Sequence, residues 1–236
     1  MINGKLLTAI IPARGGSKGI PGKNLRQAGG LSLLARAIRF AKNSLRIDRI
    51  IVTTDDLKMH EIAVQYGVQS PGLRPSHLAS DTATTAAVVE HVLHECNVVE
   101  GYILVLQVTS PFRTLKDLDD LAAVFERSDA DAIVSVVAID EPRPEKLKRV
   151  VDGFIVPYMA DDFEGPRQAL PQPYKLNGAF YLISREVFQR DHRFLPKKTL
   201  AFLMPDDRSH NLDSLTDWKI MESMIAAGHW VLEAYS

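Results

Sequence analysis

Three cations and four glycines crowd into the run Ala13-Arg-Gly-Gly-Ser-Lys-Gly-Ile-Pro-Gly-Lys-Asn24. Glycines let a backbone come close to a ligand, and Arg14, Lys18 and Lys23 supply converging positive charge. Together these are what a polyphosphate requires. The loop is not a Walker A motif, because Gly22-Lys23 is followed by Asn24 and Ser17 stands where the earlier glycine belongs. Nor does it carry the G-x-G-x-x-G spacing of a dinucleotide site. The bland alternative is an ordinary glycine-rich surface loop with solvated lysines.

Such a loop needs a scaffold, and the flanking patterns supply one. Leu6 to Pro12 is short and apolar, as expected of a strand buried on both faces. Leu33 to Leu45 carries apolar residues at helical spacing, Arg49 to Thr54 reads as a second strand, and Leu57 to Tyr66 as a helix. Val88, Val89, Val92, Leu93 and Cys96 mark another helical face, on which the lone cysteine is a small buried residue and not a nucleophile. Tyr102 to Gln107 is a third strand. Thr114 opens a capping-box helix through Arg127, and Asp131 to Ala138 is a fourth strand. Gly178 to Ile183 and Thr199 to Met204 are two more, and a helix from Leu215 to Ala227 closes the pattern. Strands alternating with helices imply an α/β fold, a mostly parallel twisted sheet with helices on both faces. Ligands then belong in the loops at the carboxyl ends of the strands. From Asp140 to Leu176 six prolines interrupt the periodicity. This stretch reads as a lid or an oligomerisation arm, so residues 140–182 are taken as an inserted arm within one domain spanning 1–236.

Bulk properties narrow the function. With 236 residues the chain buries roughly 70% of its unfolded surface and needs no staples. Lys and Arg number 28 against 29 Asp and Glu, a net charge of −1. That balance argues against nucleic acid or an acidic membrane as partner, so an anionic ligand must be met by a local basic cluster. One cysteine cannot form an intramolecular disulfide, no apolar run approaches the roughly 20 residues of a membrane span, and the first residues lack a signal-peptide core. A cytoplasmic location is expected.

The run IPARGGSKGIPGKNL resembles the signature loop of the acylneuraminate cytidylyltransferases, the CMP-sialic acid synthetases. The likeness continues through DRIIVTTDD, LRPSHLASDTATT, LQVTSPFRT, RQALPQPYKLNGAFYL and the NLD near the C-terminus. It implies a Rossmann-like nucleotidyltransferase fold with a dimerisation arm, and transfer of CMP from CTP to the anomeric hydroxyl of a nonulosonic acid with release of pyrophosphate. Arg14, Lys18 and Lys23 would hold the CTP phosphates and, with Asp213, form the catalytic set. Nucleotidyl transfer depends largely on positioning and electrostatic stabilisation of this kind. Asn24, Arg74, Ser80, Gln107 and Thr109 would contact the nucleotide. Read alone, LRPSHLASD is a surface loop ending in a helix cap, a role still open to Asp81. Ser110 is equally suited to capping the next turn. Val108 stands where the family has proline.

For the sugar acid the resemblance points to Lys146, Arg167, Gln168, Lys175 and Asn177, with Tyr181 and Phe194 as an apolar wall. Each of these also fits an exposed loop charge or a core aromatic. Some residues of the arm would reach the neighbouring subunit of a homodimer. At Asn211-Leu-Asp213 the family typically has D-x-D, two carboxylates that serve as Mg²⁺ ligands. Here the first is an amide, so metal binding should rest more on Asp213, while His210 has no matching role. The same chemistry on a legionaminic, pseudaminic or Kdo-type acid is the alternative within enzymes, and a non-catalytic nucleotide- or sugar-binding regulator is the alternative outside them.

Overall fold

A computed structural model describes residues 1–159, 170–233 and 235. Six strands make the main sheet: β1 (Leu7–Pro12), β4 (Arg49–Thr53), β5 (Tyr102–Val105), β6 (Ala132–Ala138), β9 (Tyr174–Ser184) and β10 (Thr199–Leu203). Their spatial order is β10-β6-β9-β5-β1-β4. Neighbours β1–β4, β1–β5 and β6–β10 run parallel, while β9 runs antiparallel to both β5 and β6. Two short hairpins lie outside this sheet, β2 (Gln27–Ala28) with β3 (Leu31–Ser32) and β7 (Lys148–Val151) with β8 (Phe154–Pro157).

Alternating residues of the strands feed two separate cores, as the two-residue period of a pleated strand requires. Ala9, Ile11, Leu104 and Leu182 pack with α1 (Leu33–Asn43), α2 (Leu57–Gln65), α4 (Leu115–Glu126) and α6 (Leu215–Ala226). Ile10, Ile103, Val105 and Ile183 pack on the other face with α3 (Thr85–Glu95) and α5 (Arg185–Asp191). Cys96 is buried in that second core, as a small apolar residue would be. Helix starts follow their caps. Thr114 and Ser214 each close a capping box with the aspartate three residues on, Asp117 and Asp217.

Two elements differ from the sequence expectation. Strand β9 begins at Tyr174, not Gly178, because Tyr174, Lys175 and Leu176 extend the pairing along Ala138, Val137 and Val136 beyond a bulge. Helix α5, capped by Ser184 and only 7 residues long, is too short to show a period. Within the expected arm, the β7–β8 hairpin stands off the sheet with Val150, Phe154 and Ile155 each about three-quarters exposed. No helix among the described residues is long and apolar enough to cross a membrane.

Candidate active site

A cleft of about 520 Å³ opens where the parallel strands β1, β4 and β5 end. That is the place the carboxyl-end rule assigns to a ligand. Four segments wall it: the glycine-rich loop after β1, the 74–85 loop, the 107–109 turn after β5, and Asn211 with Asp213 ahead of α6.

Within the first segment, Gly19 packs against protein and not only toward a ligand. A Cβ built on it would fall 1.9 Å from the Asp213 carbonyl oxygen, so loop and 211–213 segment touch as backbone on backbone. Lys23 crosses the same junction. Its ammonium donates to Leu212 O at 2.7 Å and lies 3.3 Å from Asp213 Oδ1, with the side chain almost wholly buried. Asn24 donates to Arg14 O at 2.9 Å, while its buried Oδ1 accepts no hydrogen bond among the described residues and is available to a ligand donor. At the mouth, Asp81 bridges two cations, 2.8 Å from Arg14 Nη1 and 2.5 Å from Lys18 Nζ. Hydrogen bonds from Lys18 and then Arg14 hold its carboxyl below the usual carboxylate range. Asp81 is therefore an ion-pair partner, and the cap of α3 is Thr84, which accepts from Ala87 N.

Arg74 lines the cleft from a buried position, donating to Thr53 O at 2.6 Å, Thr53 Oγ1 at 3.2 Å and Leu78 O at 3.3 Å. Burial lowers its pKa, and the nearby Asp55 charge offsets part of that. Ser80 donates to His77 O and lines the same wall. Gln107 and Thr109 complete it, with Thr109 O accepting from Leu212 N at 2.9 Å. Ser110 is no cap; it is buried and donates to Asn177 O at 2.9 Å.

Arg14, Lys23, Asn24, Arg74, Ser80, Gln107, Thr109, Asn211 and Asp213 thus share one cleft. Lys18 reaches only its rim through Asp81. The described residues of the set read as sugar-binding do not line this cleft. Lys146 and Lys175 are exposed outside the cleft lining, and Arg167 and Gln168 lie outside the described residues. Asn177 is a core hub: it accepts from Ser135 Oγ at 2.6 Å and donates to Ser209 Oγ at 2.9 Å, leaving its amide no free face. Tyr181 and Phe194, with ring centroids 6.1 Å apart, pack onto the second core beside Phe188 and form no wall of the cleft. His210 stacks on Trp230 at 4.6 Å and faces Asp217 O at 3.0 Å.

Asn211 and Asp213 are the pair that the resemblance reads as cation ligands. Asn211 Nδ2 donates to Asp213 Oδ2 at 2.6 Å, and the Asp213 side chain is 69% exposed to the cleft. No cluster of three or more His, Cys, Asp or Glu suited to a metal occurs among the described residues. One carboxylate and one amide oxygen make a sparse set. It fits Mg²⁺, which keeps several waters and takes further oxygens from substrate phosphates.

Residues 8–161 match the family described as Cytidylyltransferase. The chain is 30% identical over 226 residues to Post-translational flagellin modification protein B of Campylobacter coli, covering 93% of this chain and 94% of that one. It is 31% identical over 225 residues to the CMP-N,N'-diacetyllegionaminic acid synthase of Legionella pneumophila, covering 93% and 96%. The solved structure of a CMP:2-keto-3-deoxy-manno-octonic acid synthetase complexed with CTP has a TM-score of 0.69 over 94% of this chain and 99% of that one. At 18% identity that is a likeness of fold.

Proposed function

The chain belongs to the cytidylyltransferase family, and on that premise we propose that it transfers CMP from CTP to the anomeric hydroxyl of a nonulosonic acid, giving the CMP-sugar and pyrophosphate. The observation that carries this reading is the convergence of Arg14, Lys23 and Asp213 with Gln107 and Arg74 in one cleft. Charge for a triphosphate and hydrogen-bonding groups for a base lie within a single nucleotide's reach. The same convergence weighs against a non-catalytic regulator, which needs no cation set aimed at a leaving pyrophosphate.

Each residue's part follows from its setting. Arg14 and Lys23 draw the triphosphate in and stabilise the charge that develops as pyrophosphate departs. The Leu212 carbonyl aims Lys23 and holds it beside Asp213. Lys18 reaches the outer phosphates from the rim. Asn24, Ser80, Gln107 and Thr109 orient ribose and base through neutral donors and acceptors. Asp213, assisted by the Asn211 amide oxygen, holds a divalent cation, for which Mg²⁺ is the reading. That cation, when bound, neutralises phosphate charge and favours deprotonation of the attacking hydroxyl.

For the acceptor, the motifs of the chain favour a nonulosonic acid over a Kdo-type acid, with N-acylneuraminate as the first reading; the Legionella relative supports N,N'-diacetyllegionaminate as a second. Lys146, Arg167, Gln168 and Lys175 remain the proposed contacts for the sugar acid, with Arg167 and Lys175 for its carboxylate and hydroxyls. The exposed apolar hairpin Val150, Phe154 and Ile155 supports the part of the arm ahead of β9 as a homodimer contact, residues 174–182 being strand of the main sheet. One domain, cytoplasmic, is the corresponding proposal for the chain. Pyrophosphate release with CTP and a panel of sialic, legionaminic, pseudaminic and Kdo acids tests the reaction. Turnover with one nonulosonate is the expected result, and none with any acid, or equal affinity for CTP and ATP by titration calorimetry, refutes it.

A further inference from the structure

Arg113 follows the cleft-forming turn, in Gln107-Val-Thr-Ser-Pro-Phe-Arg113, yet it is only 2% exposed. Its partners are carbonyl oxygens. Nη1 donates to Ala179 O at 2.7 Å, and Nη2 donates to Gln107 O. The rings of Phe40 and Phe180 lie 5.6 and 5.9 Å from its Cζ. Burial lowers its pKa to about 10, so it remains cationic at neutral pH. A buried charge is costly unless hydrogen-bonded, and an apolar residue of similar size fills such a space at less cost. The guanidinium fork does something an apolar residue cannot: it ties the end of β5 to β9.

What it ties down is a specific contact. Gly178, at φ +76°, lies so close under the 107–110 turn that a Cβ there would sit 2.4 Å from Gln107 Oε1 and 2.9 Å from Ser110 Oγ. Ser110 donates to the neighbouring Asn177 carbonyl at 2.9 Å. Residues 177–179 therefore touch the turn at three consecutive points, and Arg113 closes the third. Cytosine and uracil differ at position 4, an amino donor in one and a carbonyl acceptor in the other. A glutamine amide carries both an acceptor and a donor, so it tells the two bases apart only when its orientation is fixed.

We propose that Arg113 is a positioning residue: by bridging Gln107 O and Ala179 O it fixes the backbone from which the Gln107 amide meets the base, and so sets the preference for cytosine over uracil. This rests on reading the cleft as a nucleotide site, and the wild-type protein tests that reading first. A wild type that turns over no CTP overturns the function; a wild type that prefers CTP to UTP leaves Arg113 to be judged by its variants.

Arg113→Lys keeps the charge but loses the planar fork. In protein whose circular dichroism and melting show a folded chain, the CTP:UTP ratio of kcat/KM should fall about tenfold, the weight of one directed hydrogen bond. The loss should appear in KM for CTP, with KM for the sugar acid within about twofold of wild type, a split that general loosening does not produce. Gln107→Ala should lower the ratio by itself, and adding Arg113→Lys to it should change the ratio no further. An unchanged ratio in folded Arg113→Lys, or an equal loss with and without Gln107, overturns the proposal. Should Arg113→Lys not fold, Gly178→Ala, which displaces the Gln107 amide from below, decides in the same assay: a lowered ratio supports the proposal and an unchanged one overturns it.

Discussion

Asn211→Asp changes one amide to a carboxylate, and the geometry sets how large the effect should be. In the wild type Asn211 Nδ2 donates to Asp213 Oδ2 at 2.6 Å. After substitution two carboxylates face one another there. Asp213 is 69% exposed, so screening is close to that of water, and two unit charges about 4 Å apart repel by about 1 kcal/mol. A divalent cation about 4 Å from the added charge gains about 2 kcal/mol under the same screening. Relief of the carboxylate repulsion adds to this, and repulsion of the triphosphate subtracts from it. The net is about 1–2 kcal/mol, a fall of about 5- to 30-fold in half-saturating Mg²⁺. Pyrophosphate release followed across a Mg²⁺ titration reads this directly, and Mn²⁺ binding by electron paramagnetic resonance without nucleotide reads it independently of turnover. Asp213→Asn should be close to inactive at every Mg²⁺ concentration. If both variants reproduce the wild-type titration, the motif does not hold the cation.

Lys23→Ala should lower kcat by about a hundredfold, as for loss of a charge partner in the transition state, and near-wild-type turnover in folded protein would remove Lys23 from the mechanism. Asp81→Asn should free Arg14 and Lys18, so that pyrophosphate becomes a stronger product inhibitor; an unchanged inhibition constant refutes competition at the rim. Because the Asp81 pKa is lowered in the folded protein, its contacts are complete above the unfolded carboxylate value and are lost only as pH falls through the depressed one. The ratio of the wild-type to the Asp81→Asn inhibition constant should therefore be flat across neutral pH. Ser214→Ala removes the capping box of α6 and should cost about 1 kcal/mol, a melting shift of about 2–4 °C, with the Mg²⁺ titration unmoved. A shifted titration would mean that Asn211 and Asp213 depend on the cap.

Local pattern made much of this fold legible. The run LLTAIIP reads as a buried strand because it is short and apolar, and Leu7 to Ile11 are buried while Leu6 stays half exposed; Thr114 signals its helix through bonds to the aspartate three positions on. Pairing partners are another matter. Nothing between Tyr174 and Ser184 says that this strand enters between β5 and β6 against their direction, because that choice is made by distant strands. The glycine-rich loop was legible through its density of Gly and cations, although Gly19 answers to the Asp213 backbone as well as to a ligand. Tyr181 shares its parity with Ile183, and both pack in the second core. From sequence alone that face was as open to a cleft as to a core. Asp81 looked like a cap because its partners, Arg14 and Lys18, come from another loop. An arginine between Phe112 and the helix cap Thr114 was the one visible hint of Arg113, and only burial distinguishes it from a surface charge.

The place of β9 also governs how the molecule comes off the ribosome. Strands β1, β4 and β5 can zip together early, since all three are made before residue 106. The far edge of β5 and the near edge of β6 have no partner until Tyr174–Ser184 is synthesised and threads between them. Both waiting edges are apolar, YILV and AIVSVVA. Unpaired apolar edges of this kind template association with other chains, and pairings between residues so distant in sequence form slowly. A nascent chain halted before Tyr174 therefore exposes one edge of β5 and both edges of β6, since β10 is also still to come, and the closure of the sheet, with the floor under Gln107, waits for residues 174–203.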